Sequence, residues 1–119
     1  MSSVVVRSID RNAVERAVAE YTRWLLSRYP EVRAVIWFGS WIGGIPHPGS
    51  DVDLCLILSS SDRRFRERIA RYLPERFPVG IDLFPYTEAE LDRLRQESPG
   101  WHAQIRSGPE IAGGAQATI

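Results

Sequence analysis

Hydrophobic positions in the first third of the chain recur at helical spacing. Val14, Val18, Tyr21, Leu25 and Tyr29 form one apolar stripe, with Ala17 filling in, while Arg11, Arg16, Glu20 and Arg23 lie largely off it. Asp10 offers a side-chain cap and Pro30 cannot continue a helix, so the pattern predicts a helix running to about Arg28. The period then changes. Val32 to Phe38 is apolar on both faces, and Val52 to Leu58 carries Val52, Leu54, Leu56 and Leu58 on one face with Cys55 and Ile57 on the other. Strands apolar on both sides are central strands covered by helices.

Ser59 to Asp62 reads as a turn and cap, leading into a helix from about Arg63 to Leu73 that buries Phe65, Ile69 and Leu73 and halts near Pro74. A third strand is predicted over Val79 to Phe84, ended by Pro85. Thr87-Glu88-Ala89-Glu90 is a capping box for a short helix through about Arg95. Ser98-Pro99 opens a last helix, which stops before Gly108-Pro109. Met1 to Ile9 reads as a lead-in with some strand character at Val4-Val5-Val6. The expected organisation is one α/β domain over residues 1–119, with an ordered core at about 10–108 and a flexible tail at 109–119.

Composition narrows the function classes. A chain of 119 residues, 44% hydrophobic and 25% charged, has the make-up of a globular domain able to bury a real core. Its formal net charge of +0 advertises no global basic field for nucleic acid. Every basic residue is arginine; with no lysine, a P-loop lysine, a Schiff base and a lysine general base are all excluded. Cys55 is the single cysteine, so neither an internal disulfide nor a cysteine-built zinc site is available. No signal peptide and no apolar run of membrane-spanning length is visible, and the expectation is a cytoplasmic protein.

Two positions break the pattern of the second strand. Its Cys55–Ile57 face begins with Asp51 and Asp53, which project side by side because residues two apart in a strand share a face. Carboxylates so close repel and raise one another's pKa, so folding alone has no use for them. A hard divalent cation removes the objection, and Mg²⁺ takes one or two carboxylates together with substrate phosphates. Gly39-Ser40, at the end of the preceding strand, lets backbone approach a ligand where a helix begins and adds a hydroxyl. Asp82 is a third acid in an otherwise apolar strand. If that strand neighbours the second one, three carboxylates meet at one sheet edge and can bridge two metals, with Asp82 as ligand or base.

Gly39-Ser40, ten residues, then Asp51-Val52-Asp53, with Asp82 on a later strand, resembles the nucleotidyltransferase superfamily related to DNA polymerase beta, and its minimal branch in particular. The resemblance covers about Val14 to Arg106. It implies a small mixed sheet flanked by helices, two Mg²⁺ ions, and transfer of a nucleoside monophosphate from an NTP such as ATP with release of pyrophosphate. By the same match Gly39 and Ser40 hold the phosphates, Asp51 and Asp53 bind metal, and Asp82 completes the catalytic and metal site. Some members of the branch act with an all-helical HEPN-type partner in toxin–antitoxin pairs in which the partner is adenylylated. That implies an antitoxin-type component acting on a hydroxyl of a protein partner or within a homo-oligomer, away from membranes. The family often carries Arg soon after the Gly-Ser pair and an apolar strand after the last helix; this chain has Trp41-Ile42-Gly43-Gly44 and Ser107-Gly108-Pro109-Glu110.

Blander readings stand beside these. Asp51 could cap a turn, with Asp53 and Asp82 facing water. Trp41 could stack on a base or cover an edge of the core. His47 and His102 read as surface positions. The helix with Arg63, Arg64, Arg66, Arg68 and Arg71 reads as a solvated face with Glu67 supporting Arg71. A non-catalytic module of the same fold that binds a helical partner is the alternative to an enzyme, and small-molecule modification, as in aminoglycoside nucleotidyltransferases, is a third reading.

Overall fold

The computed structural model describes residues 10–47 and 49–111. The reading of Val4–Val6 as strand-like therefore lies outside the described residues. The elements are α1 (Arg11–Arg28), β1 (Val32–Phe38), α2 (Ser40–Gly43), β2 (Val52–Leu58), α3 (Phe65–Tyr72), β3 (Ile81–Thr87), α4 (Glu88–Glu97) and α5 (Pro99–Arg106). Asp10 caps α1 by accepting from the Ala13 amide at 3.1 Å. Thr87 and Glu90 form a reciprocal capping box at α4, with N···O distances of 3.1 and 3.0 Å.

The sheet order is β1-β2-β3, antiparallel between β1 and β2 and parallel between β2 and β3. It is the small mixed sheet of an α+β fold. Alternation along β2 divides the core in two. Val52, Leu54, Leu56 and Leu58 pack with Val14, Val18, Tyr21 and Leu25 of α1. Cys55 and Ile57 face the other way, onto Leu91 of α4 and Ile105 of α5. Both faces of β2 are thus covered, as an apolar strand with no polar side requires.

Several local features differ from the sequence reading. β3 continues through Pro85 to Thr87 instead of stopping at Phe84. An edge strand tolerates proline, and here the Pro85 carbonyl accepts a bond from Arg68 at 3.0 Å. α3 starts at Phe65, where the Arg64 amide donates to Glu67 at 3.2 Å, and it ends at Tyr72 because Pro74 forces Leu73 into an extended conformation. Tyr72 is consequently the buried residue, while Leu73 is 45% exposed.

Of the tail expected at 109–119, residues 109–111 are paired with β1, and 112–119 lie outside the described residues. The Trp37 amide donates to the Pro109 carbonyl at 3.0 Å, the Ile111 amide to the Val35 carbonyl at 2.8 Å, and Ile36 bridges Glu110 in antiparallel fashion. This stub covers the open edge of β1, where unpaired backbone groups would otherwise face a second chain. It occupies the place where the sequence offered no apolar strand.

Arg68 is not on a solvated face. It is buried and holds Glu90 through two bonds of 2.7 and 3.0 Å while also bonding the Arg63 and Pro85 carbonyls. Its charge is therefore matched across α3, β3 and α4. Removing one partner of a buried ion pair strands the other and costs about 3–5 kcal/mol. Glu90→Ala should lower the stability measured by urea denaturation by about 3 kcal/mol. A loss no larger than that of a surface substitution would show that Arg68 is not dependent on Glu90.

Candidate active site

The register of the sheet builds the site. Phe38 pairs with Asp53, and Asp53 pairs with Asp82 across the parallel ladder. These three residues form one row at a single end of the sheet. Asp51 lies two positions before Asp53, just ahead of β2, and Gly39-Ser40 leaves β1 at the same end. The chain segments carrying all five candidate residues thus meet at one end of the sheet, the aspartates in line with the face covered by α4 and α5 and the segment after Gly39 packed through Trp41 into the α1 side.

The turn after β1 takes its form from Gly39. Its φ is +88°, the only positive value among the described residues, and its carbonyl accepts from the Ile42 and Gly43 amides at 3.0 and 2.9 Å. The short helix α2 begins at Ser40 directly after it. A side chain at Gly39 would also run into the Asp53 carboxylate. Gly80 plays the same part for the other acid, since a Cβ there would strike the Asp51 carboxylate. Its carbonyl accepts the Val52 amide at 2.9 Å and so extends the β2–β3 ladder toward Asp51. The sequence reading, which runs a strand through Val79 to Phe84, gives Gly80 no such role. A glycine one step before an acid-bearing strand was the available signal.

Trp41 is a core residue, 2% exposed, with its ring 6.5 Å from that of Trp37. Its indole donates to the Ser50 carbonyl at 3.3 Å, tying the start of the loop to its end. The buried Ser50 hydroxyl accepts the His47 amide at 2.9 Å, and the Ser50 amide returns a bond of 2.8 Å to the His47 carbonyl. Trp41 and Ser50 therefore position the turn and the first aspartate without facing a ligand. His47 is exposed and accepts the Gly49 amide, while His102 is half-buried on α5. Neither belongs to the row of acids. Cys55 is fully buried, and burial pushes its thiol up to about 12, so it is an inert packed group.

Burial, then the charges of Asp82 and Asp51, raise Asp53 to about 6. Desolvation raises Asp82 as well, followed by the charge of Asp51. Among the described residues, no three of His, Cys, Asp and Glu converge on a common ion position. Repulsion favours that splay, with Asp51 leaning over Gly80 and Asp53 over Gly39. As donors, three hard carboxylates that penalise one another's charge fit a divalent cation such as Mg²⁺. A groove of about 770 Å³, bordered by Tyr21, Trp24 and Phe77, lies on the α1 side of the sheet and contains none of the acids.

The sequence profile of the nucleotidyltransferase domain matches residues 16–99, more than half of the chain and every acid of the site. The chain belongs to the nucleotidyltransferase domain family. In fold this nucleotidyltransferase is similar to the crystal structure of a candidate nucleotidyltransferase from Sulfolobus solfataricus. That likeness has a TM-score of 0.54 at 21% identity and covers 67% of this chain and 72% of the other. No curated protein matches the chain. Members of the family generally use an NTP and a divalent metal, which is the chemistry the acid row suits.

A raised carboxylate pKa has a definite sign. Asp53 binds a proton more tightly in the folded than in the unfolded chain, so its contribution is fully present below its unfolded value near 4 and is lost as pH rises through about 6. Metal-free protein should therefore melt lower at pH 8 than at pH 5 through this group. In Asp53→Asn that part of the pH dependence should disappear, and the melting temperature at pH 8 should equal or exceed that of the parent. A large loss of stability in the metal-free variant at pH 8 would make Asp53 a structural residue.

Proposed function

We propose that this nucleotidyltransferase transfers a nucleoside monophosphate, AMP from ATP, to a hydroxyl of a protein partner, in the presence of Mg²⁺. The observation that carries the reading is the Phe38–Asp53–Asp82 register, which sets the acids of two strands beside the Gly39-Ser40 turn. In this account the Gly39-Ser40 turn and the Ser40 hydroxyl receive the phosphates, and Asp51 and Asp53 hold metal. Asp82 either shares a metal or accepts the proton of the acceptor hydroxyl. That oxygen bonds to the α-phosphorus as the bond to the β-phosphate breaks, and pyrophosphate leaves. Two Mg²⁺ ions, when bound, supply charge neutralisation and lower the pKa of the attacking hydroxyl. Such transfer requires mainly positioning and compensated charge, which a small sheet end can furnish.

Asp51 and Asp82 are exposed, so the sheet end is open to a macromolecular acceptor. An all-helical HEPN-type protein is the proposed acceptor, which makes this chain the antitoxin-type component of a toxin–antitoxin pair. The near-neutral net charge supports a protein acceptor over nucleic acid. A non-catalytic binding module of the same fold is favoured by one observation. Trp41 fills the turn segment where the family often has Arg, and it points into the core. Calorimetry with ATP and Mg²⁺ separates the two, since the module binds no nucleotide alone or with its partner.

Asp51→Asn should keep the far-UV circular dichroism and melting profile of the parent while label transfer from α-labelled ATP falls by about a hundredfold or more. Undiminished transfer in that variant would overturn the assignment.

A further inference from the structure

The proposed site collects negative charge: three carboxylates and a triphosphate outweigh two divalent ions. A guanidinium near the phosphates would lower that charge and add directed N–H donors. With no lysine in the chain, the cation must be an arginine, and the residues following Ser40 contain none until Arg63. We propose that Arg11 is a triphosphate-contacting residue, delivered to the Gly39-Ser40 turn from the first turn of α1. The proposal rests on the nucleotidyltransferase reading above.

Chain topology brings Arg11 there. The Val32 amide donates to the Tyr29 carbonyl at 2.9 Å, so α1 turns sharply into β1 and its stripe packs along the sheet. The start of α1 therefore lies toward the end of β1, where Gly39 and Ser40 follow. Arg11 Nη2 donates to the Trp41 carbonyl at 2.7 Å, one residue beyond Ser40. Its guanidinium carbon is 5.2 Å from the centre of the Trp41 ring, which is itself buried and fixed by Ser50. The cation is thus anchored to the short helix that forms the phosphate turn.

Arg11 is not consumed by these contacts. Among the described residues its charged partner is Glu15, with Nη1 3.6 Å from the carboxylate and both side chains about half exposed. Such a pair is weak and easily exchanged for a phosphate. A guanidinium has five N–H donors, and the bond to Trp41 uses one. Arg11 thereby supplies the charge that Trp41-Ile42-Gly43-Gly44 lacks.

The test is calorimetry of the full chain with inorganic tripolyphosphate, ATP and AMP, each with Mg²⁺, in the parent, Arg11→Ala, Arg11→Lys and Glu15→Gln. Arg11→Ala should weaken tripolyphosphate and ATP by about tenfold and AMP far less. Arg11→Lys should recover part of the loss, since charge returns without the planar fork, and Glu15→Gln should bind at least as tightly as the parent. If Arg11→Ala weakens AMP as much as ATP, Arg11 merely holds α2 in place and the proposal fails. If the parent binds ATP and Arg11→Ala binds it equally, Arg11 alone is refuted. If the parent binds neither tripolyphosphate nor ATP, alone or with its partner, the catalytic reading falls and this inference with it.

Discussion

Repulsion among Asp51, Asp53 and Asp82 is the constraint around which this structure is arranged. Two strands deliver the acids, and the parallel ladder sets Asp53 opposite Asp82. Burial first, and then the charges of the neighbouring acids, displace both Asp53 and Asp82 upward. A folded chain that keeps such a cluster has a use for it beyond stability, because neutral side chains at these positions would remove the penalty.

The rest of the fold makes the cluster tolerable. β2 is buried along its length, so its register is pinned by apolar residues on both faces well away from the acids. Gly39 and Gly80 leave bare backbone where the carboxylates lean, one at each side of the row. Trp41 and Ser50 close the intervening loop from inside the core. On the far side, Arg68 and Glu90 lock α3 to α4 over the Pro85 carbonyl, which steadies the strand carrying Asp82.

Much of this was legible in the chain because it depends on local periodicity. The bounds of α1, β1 and β2, the Thr87–Glu90 capping box and the pairing of Asp51 with Asp53 on one face all follow from spacing over a few residues. What could not be read depends on contacts distant in sequence. Arg68 looks like one more surface arginine until Glu90, on another helix, comes to meet it. Pro85 looks like a stop until β3 proves to be an edge strand. Pro109–Ile111 has no strand composition, yet the open edge of β1 recruits its backbone, and backbone pairing carries no side-chain signature. Asp82 stood between these cases: its anomaly was visible, but only strand order could say whether it joined the other two acids.

The account stands on the three acids acting as one cation-binding group. Titration of the chain with Mn²⁺ in place of Mg²⁺, followed by electron paramagnetic resonance of the free ion, reads that directly. The account predicts that Asp82→Asn weakens Mn²⁺ binding as Asp53→Asn does, although the two residues lie on different strands. Mn²⁺ binding in Asp82→Asn indistinguishable from that of the parent would contradict it.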